Sequence, residues 1–476
     1  MTQKQTQPLS LVPIGQKAAY GTGNLVLNLL PASLNVFLFF LVTGFGMDPF
    51  LAGLLGGLPR LFDAITDPIM GFITDNTKSR WGRRRPYIVL GAIASGVIFA
   101  LLWQLDSANG ETYNFWYFLI FSLIFTLGNT MYATPFVGLG YEMTTDYKER
   151  TRLMAFAQIM GQVAWMVVPW FWVIVADPDL FVDQAQGVRT LSIFVGGACI
   201  LLGILPGLFC HGFDSKEMEN RASLNFSNLL NNLKSLFKSI AQISNNKPFL
   251  RLCGATFLVF NGFNLVAGFI YFIIVFHMFG GSYEQTGSWP AWFSTMSAVA
   301  SAFLVIPIIS WMANKIGKRN AFIISTILSI AGYILKWWGF SDTNPWLVFM
   351  PIPLMSFGIG GLFTLMMSMT ADVCDLDELK NGQPRKEGTF GAIYWLMVKI
   401  GQAIALIVGG AVLKFVGFES GAATQTVEAM TNLRIADVII PSVTALLAIV
   451  IMWGYDLSED RVRDIKEKLT KRRGEM

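Results

Sequence analysis

Charge is scarce in this chain: Asp, Glu, Lys and Arg make up 14% of its 476 residues, where a soluble protein carries about a quarter. Histidine is nearly absent. Having only His211 and His277 argues against haem ligation, an HExxH metalloprotease centre and a histidine relay. The four cysteines, Cys199, Cys210, Cys253 and Cys374, form no CxxC pair. They make neither a disulfide framework nor a zinc site and read as small apolar packing residues. No nucleophile has a neighbouring histidine and no glycine-rich loop is built to cradle phosphate, so the chain is not expected to be an enzyme or to carry a cofactor. The net charge of +4 is too small to suggest a nucleic-acid partner. The N-terminal MTQKQTQPLSLVPIGQKAAYGTG has no short apolar core followed by a small-residue cleavage site. No removable leader is predicted, and the first span must direct insertion.

What is present is apolar: 53% of residues are hydrophobic and the mean hydropathy is +0.51. Runs of about 20 residues, the length that crosses a bilayer, recur twelve times. They lie near 18–45, 50–74, 87–105, 114–143, 152–176, 190–211, 249–280, 286–313, 320–340, 345–374, 388–416 and 434–456. Backbone groups in hydrocarbon must pair within their own segment, and no ten-residue alternation marks barrel strands, so the spans are helices. The fold class is an all-α membrane protein with twelve transmembrane helices. Basic residues choose its orientation: Lys78, Arg80, Arg83, Arg84 and Arg85 follow span 2, Lys148, Arg150 and Arg152 follow span 4, Lys315, Lys318 and Arg319 follow span 8, and Lys380, Arg385 and Lys386 follow span 10. The alternate loops GMDP, QLDSANGETY and FGGSYEQTG have none. Both termini are therefore expected in the cytoplasm. Aromatic clusters near span ends, WYF at 116–118 and KWWGF at 336–340, read as interface anchors.

A polar stretch between spans 6 and 7 contains FSNLLNNLKSLFKSI, whose apolar spacing predicts a surface amphipathic helix. It divides the chain into a six-span bundle (1–211), a middle loop (212–248), a second six-span bundle (249–456) and a basic tail (457–476). SRWGRRRP after span 2 is echoed by NKIGKRNA after span 8. Two related halves of this kind are the layout of the major facilitator superfamily, whose substrate site lies near the midplane between the halves.

One span breaks the apolar rule. In LAGLLGGLPRLFDAITDPIMGFIT, Asp63 and Asp67 lie four residues apart on one helix face, and Thr66 adds a hydroxyl there. A charge at the bilayer centre costs about 3 kcal/mol even on the lenient insertion scale, which marks a functional site. Two carboxylates and a hydroxyl suit a hard cation such as Na⁺, or a proton.

The motifs RLFDAITDPIMGFITDNTKSRWGRRRPY, ATPFVGLGYEMTTDYKERTRL and TADVCDLDELK followed by WLMVKIGQA occur in order along the chain. They resemble the glycoside–pentoside–hexuronide:cation symporter family. The resemblance implies a secondary transporter in the cell (inner) membrane, a monomer in the lipid bilayer that moves a small carbohydrate-like solute together with Na⁺ or H⁺. It assigns Asp63 and Asp67 as cation-binding aspartates, with Thr66 where members carry Asn, Thr130 as the helix-4 oxygen ligand and Lys399 as the helix-11 lysine. The charges Asp63 and Asp67 (−2) and Lys399 (+1) sum to zero once one cation binds. The family's sugar-binding aspartates align with Asn28 and Ala133, its nearby arginine with Gln158, and its stacking tryptophans with Val137 and Phe363. The charged clamp on the sugar is replaced, which implies a different solute. Asn28, Gln158 and Gln162 remain as neutral donors and acceptors, with Asn261, Asn264, Phe363, Tyr394, Trp395 and Gln402 as further candidates. A lysolipid or other amphipathic solute is the alternative, since animal relatives carry lysolipids. Charges at the helix ends, Asp75 with Arg84 or Arg85, the group Glu142, Asp146 and Arg150, and the group Asp372, Asp375 and Glu378 at the end of span 10, are expected to form ionic locks between the facing halves in a cytoplasmic gate.

Overall fold

The computed structural model describes residues 11–144, 146–211, 228, 234, 246–382 and 387–473. All the long elements among them are helices. The first six are α1 Ile14–Thr43, α2 Pro49–Asn76, α3 Arg85–Leu102, α4 Glu111–Glu142, α5 Tyr147–Val167 and α6 Gln184–Phe209. A single 3-10 turn, Val168–Trp170, and the short helix Phe171–Val175 carry α5 onward. The second six are α7 Lys247–Phe272, α8 Trp289–Ala300, α9 Lys318–Gly339, α10 Ile352–Asn381, α11 Glu387–Phe415 and α12 Val427–Trp453. A π turn, Ser301–Val305, extends α8 into Ile306–Ile316. A tail helix, α13, spans Glu459–Arg473.

Local chemistry sets many of the helix starts. The carboxylates of Asp146 and Asp183 accept the backbone N–H groups of Glu149 and Gln186 at 2.7 Å, and the Asn246 and Thr426 side chains do the same for Phe249 and Ala429 at 3.2 Å. Each satisfies an N-terminal donor that the helix itself cannot. Among the described residues, eleven helical stretches are long and apolar enough to span a membrane. The twelfth, α2, has the length, with 28 residues, but carries Arg60, Asp63 and Asp67 within its apolar run. The twelve predicted spans each correspond to one of these helices. The predicted middle-loop helix FSNLLNNLKSLFKSI lies outside the described residues apart from Asn228 and Lys234.

The chain forms two compact units, Met1–Gly46 with Phe62–Lys234, and Met47–Leu61 with Ser235–Met476. In the first, α1 packs on α5 and α6, and α3 packs on α4 and α6. In the second, α7 packs on α11 and α12, and α9 packs on α10 and α12. The same four pairings thus recur six helices later, which makes the sequence echo a structural repeat. Small residues set the contacts, as is usual where lipid provides no hydrophobic drive for helix association. Gly91 of α3 lies against the α4 backbone at Met131 and Tyr132, and Gly332 of α9 lies against the α10 backbone at Leu354 and Met355. The second unit also holds the first half of α2. There a Cβ on Gly53 would sit 2.6 Å from the Leu406 carbonyl of α11, and Lys414 pairs with Asp48 at 2.9 Å.

One predicted anchor differs from expectation. Trp338 of KWWGF is exposed, as an interface residue should be, but Lys336 is fully buried and pairs with Asp437 of α12. An ammonium so far inside needs an anion beside it, and α12 supplies one.

Candidate functional site

Asp63, Thr66 and Asp67 fall at i, i+3 and i+4 of α2 and therefore share a face. Opposite them on α4, Thr130 and Thr134 are again four residues apart. The Thr130 hydroxyl donates to Asp63 Oδ1 at 2.8 Å, and the Thr66 and Thr130 hydroxyls are 3.1 Å apart. The Thr134 hydroxyl reaches Asp67 Oδ1 at 3.5 Å. Thr66 and Thr130 are buried, while the carboxylates are half-buried. Two carboxylates and three hydroxyls, all oxygen donors, thus converge from two helices of the first unit. Thr134 was not singled out in the sequence, although it lies one turn beyond Thr130 on the same face. Lys399, half-buried on α11, belongs to the second unit.

The polar candidates of the first unit form a second group. At the middle of α1, Asn28 donates to the Asn24 carbonyl at 2.8 Å, and its Oδ1 accepts from Trp165 Nε1 of α5 at 3.1 Å. Gln158 and Gln162 are exposed on α5. In the second unit, Asn261 donates to the Gly401 carbonyl at 3.1 Å, joining α7 to α11, and Asn264 donates back to the Phe260 carbonyl at 2.8 Å. The Phe363 and Trp395 rings stack with centroids 6.2 Å apart, and both are exposed. Tyr394 is buried beside Trp395, edge-on at 5.8 Å. Gln402 is half-buried on α11.

The charged helix ends form compact networks, each within one unit. Asp75 pairs with Arg84 at 3.0 Å and with Arg83 at 3.6 Å, and Arg84 reaches Glu142 at 3.1 Å. Arg83 contacts Glu142 as well. The Arg84 guanidinium occupies the space a side chain at Gly138 would need, so this glycine admits the network against α4. Arg150 donates to the Thr144 carbonyl at 2.9 Å. In the second unit Asp372 pairs with Lys318 and, at 3.9 Å, with Lys466 of the tail helix. Asp375 lies one turn away and is buried.

Glu149, at the start of α5, is a further buried acid that the sequence did not flag. It pairs with Lys17 at 2.6 Å and accepts the Val12 N–H at 3.1 Å, and so ties the segment before α1 to α5. The Lys17 ammonium, hydrogen-bonded to it, holds its carboxyl below the usual carboxylate range. Burial opposes this, and the Val12 N–H and the charges of Lys17 and Arg152 reinforce it. A depressed acid stabilises its partners above its unfolded pKa, about 4.3, and that contribution is lost as pH falls through the folded value. The protection factor of the Val12 amide, its exchange rate relative to that of the unstructured chain at the same pH, should therefore be high at neutral pH and fall in acid. Glu149→Gln should leave Val12 weakly protected at both pH values. Equal protection of Val12 in acid and at neutrality would show that the tether does not depend on this carboxylate.

Twelve spans in two repeated six-helix sets, with acids placed inside one span, define a membrane transporter of the major facilitator type. Residues 19–459 match the family described as MFS/sugar transport protein, and the chain belongs to that family. It is a secondary transporter and not an enzyme. It is similar to the glucuronide carrier protein homolog of Escherichia coli (strain K12), with 25% identity over 90% of this chain and 89% of that protein. It is also similar to the sodium-dependent lysophosphatidylcholine symporter 1 of Homo sapiens, with 23% identity over 92% of this chain and 82% of that protein. In fold it resembles the crystal structure of a D-xylose–proton symporter, with a TM-score of 0.62 and 13% identity over 94% of this chain and 99% of that one.

Proposed function

We propose that the chain is a monomeric, multi-pass carrier of the cell (inner) membrane, with both termini cytoplasmic, that couples Na⁺ flow to uptake of a neutral glycoside. The observation that carries the reading is the convergence of Asp63, Asp67, Thr66, Thr130 and Thr134. One carboxylate is enough to take a proton, whereas several hard oxygens around two carboxylates suit a metal cation. H⁺ at the same pair is the other coupling ion. In this reading Lys399 balances the second carboxylate, and the charged groups at Asp75, Arg84, Glu142, Arg150, Asp372 and Asp375 brace the helix ends of each unit at the cytoplasmic gate.

The solute groups are Asn28, Gln158 and Gln162 with Asn261, Asn264, Phe363, Tyr394, Trp395 and Gln402. They combine amides with exposed aromatic faces and contain no charge, which suits hydroxyls on an apolar ring. The likeness to lysophosphatidylcholine symporters supports an amphipathic solute as the second reading.

Uptake into proteoliposomes under imposed Na⁺ and H⁺ gradients tests both. At least one neutral glycoside should accumulate with Na⁺ and cease to do so when an ionophore collapses the gradient. Accumulation of lysophosphatidylcholine and no sugar would select the second reading. A chain that concentrates neither under either gradient would overturn the symport assignment.

A further inference from the structure

A tryptophan in the middle of a membrane span needs a reason to expose its ring. Trp165 stands near the centre of the apolar stretch Arg152–Val175 and is 43% exposed. It does not stand among lipid-facing residues. Gln158, Gln162 and Trp165 follow at i, i+4 and i+7, within about 60° of the helix circumference. Exposed Phe156, Ile159, Val163 and Met166 lie on the adjoining face. Neither glutamine amide spends a hydrogen bond on the protein among the described residues, and a polar group turned to hydrocarbon without a partner is costly. The strip holding Trp165 therefore faces water or a solute, while the phenylalanine strip faces lipid.

The indole is held in place by a chain of amides. Asn24 donates to the Ala157 carbonyl at 2.7 Å, which fixes α1 to α5. Asn28 donates to the Asn24 carbonyl at 2.8 Å and turns its Oδ1 to Trp165 Nε1 at 3.1 Å. Gly161 makes this possible, since a Cβ there would meet the Asn24 and Asn28 amide nitrogens at 2.6 and 2.8 Å. The N–H edge of the ring is anchored while the residue stays 43% exposed. That is a preformed apolar platform with two uncommitted amides within two turns of it.

We infer that Trp165 is a specificity-determining residue: its ring stacks on the apolar face of a neutral pyranoside whose hydroxyls meet Gln158 and Gln162, and Asn28 positions the indole. The inference rests on the glycoside reading above and deepens it. No residue of the group (Asn24, Asn28, Gln158, Gln162, Trp165) is charged, so a neutral ring is preferred over a glucuronide. The indole face attracts the slightly positive C–H edge of the sugar, and anchoring it beforehand removes the ordering cost of binding.

The test uses the full-length protein in nanodiscs and a set of nitrophenyl glycosides of galactose, glucose, xylose and glucuronic acid, titrated in Na⁺. Trp165→Ala should weaken binding of the preferred neutral glycoside about tenfold or more, the scale of a lost aromatic platform, and Trp165→Phe, which keeps a ring face but loses the N–H that Asn28 holds, should lie between the parent and Trp165→Ala, about threefold weaker than the parent. Stabilisation by Na⁺ alone should be the same in both variants and in Trp338→Ala, a control that removes an exposed tryptophan of α9. Trp165→Ala binding as tightly as the parent would overturn the inference while leaving sugar symport intact. Loss of the Na⁺ response in Trp165→Phe would make the indole structural and also overturn it. A parent that responds to Na⁺ and binds none of these glycosides would instead sink the sugar reading itself.

Discussion

Replacing Asp63 or Asp67 with Asn should abolish concentrative uptake while leaving downhill solute movement. In a one-to-one symport, a membrane potential of about 100 mV adds about 2.3 kcal/mol per charge. A tenfold Na⁺ gradient adds about 1.4 kcal/mol. Their sum sets a limit of about 500-fold accumulation in the parent. Neutralising either carboxylate removes the attraction that seats the ion, so the accumulation ratio should fall to about one. The two positions should not be equivalent. Asp63 is held by Thr130 at 2.8 Å, and Asp67 meets Thr134 only at 3.5 Å. A hydrogen bond to a charged group contributes about 1.5–3 kcal/mol. Thr130→Ala should therefore lower Na⁺ affinity by tenfold or more on the scale of about 1.4 kcal/mol per decade, and Thr134→Ala should lower it less. Thr130→Ser should keep the oxygen and the affinity. Solute and Na⁺ must each tighten the other by the same factor, about 5- to 150-fold for couplings of ordinary size. The measurement is solute affinity with and without Na⁺ in the parent and in Asp63→Asn. Equal Na⁺ stimulation in both would remove the carboxylates from the coupling.

The architecture was legible because membrane constraints act on composition. Length, hydropathy and basic loops locate helices without reference to packing, and each predicted span has its helix. The acid pair of α2 was legible for the same reason, since charge is conspicuous in an apolar run. Thr134 was not, because a threonine in a span is ordinary until a carboxylate is found opposite it. Trp165 was hidden in the same way: its strip is polar only when Gln158 and Gln162 are placed on a helix and Asn28 is brought across from α1. Lys336 failed differently. Beside Trp337 and Trp338 it has the composition of an interface anchor, and only the helix phase turns its ammonium inward. Glu149 likewise looks like one charge among several in a cytoplasmic loop until Val12 and Lys17 fold back onto it.

The buried pair Lys336–Asp437 leads to the largest expected effect on stability. Both side chains are almost completely buried, at the α9–α12 contact that matches α3–α6 in the first unit. Removing one partner of such a pair strands the other charge and costs about 3–5 kcal/mol, while replacing both with apolar residues of similar volume is often neutral or stabilising. Two singles and a double therefore form the test: Lys336→Met, Asp437→Leu and the combination. The singles should differ. Without Lys336, the Asp437 carboxylate still has Arg434 one turn away on α12, a cation whose guanidinium lies 4.4 Å from the Trp337 ring centre and whose NH2 group donates to the Trp337 carbonyl. Without Asp437, the Lys336 ammonium is left with Arg434 as a like charge and with the Phe340 ring at 5.4 Å, a contact worth about 2 kcal/mol at most when desolvated. Asp437→Leu should thus lower the thermal midpoint in detergent more than Lys336→Met, and the double variant should recover most of the loss. Recovery would identify the pair as a neutral clasp between two helices, with Na⁺-driven uptake preserved in the double variant. A double variant as unstable as the worse single, or stable but unable to couple solute to Na⁺, would show that the charges themselves are needed in the transport cycle.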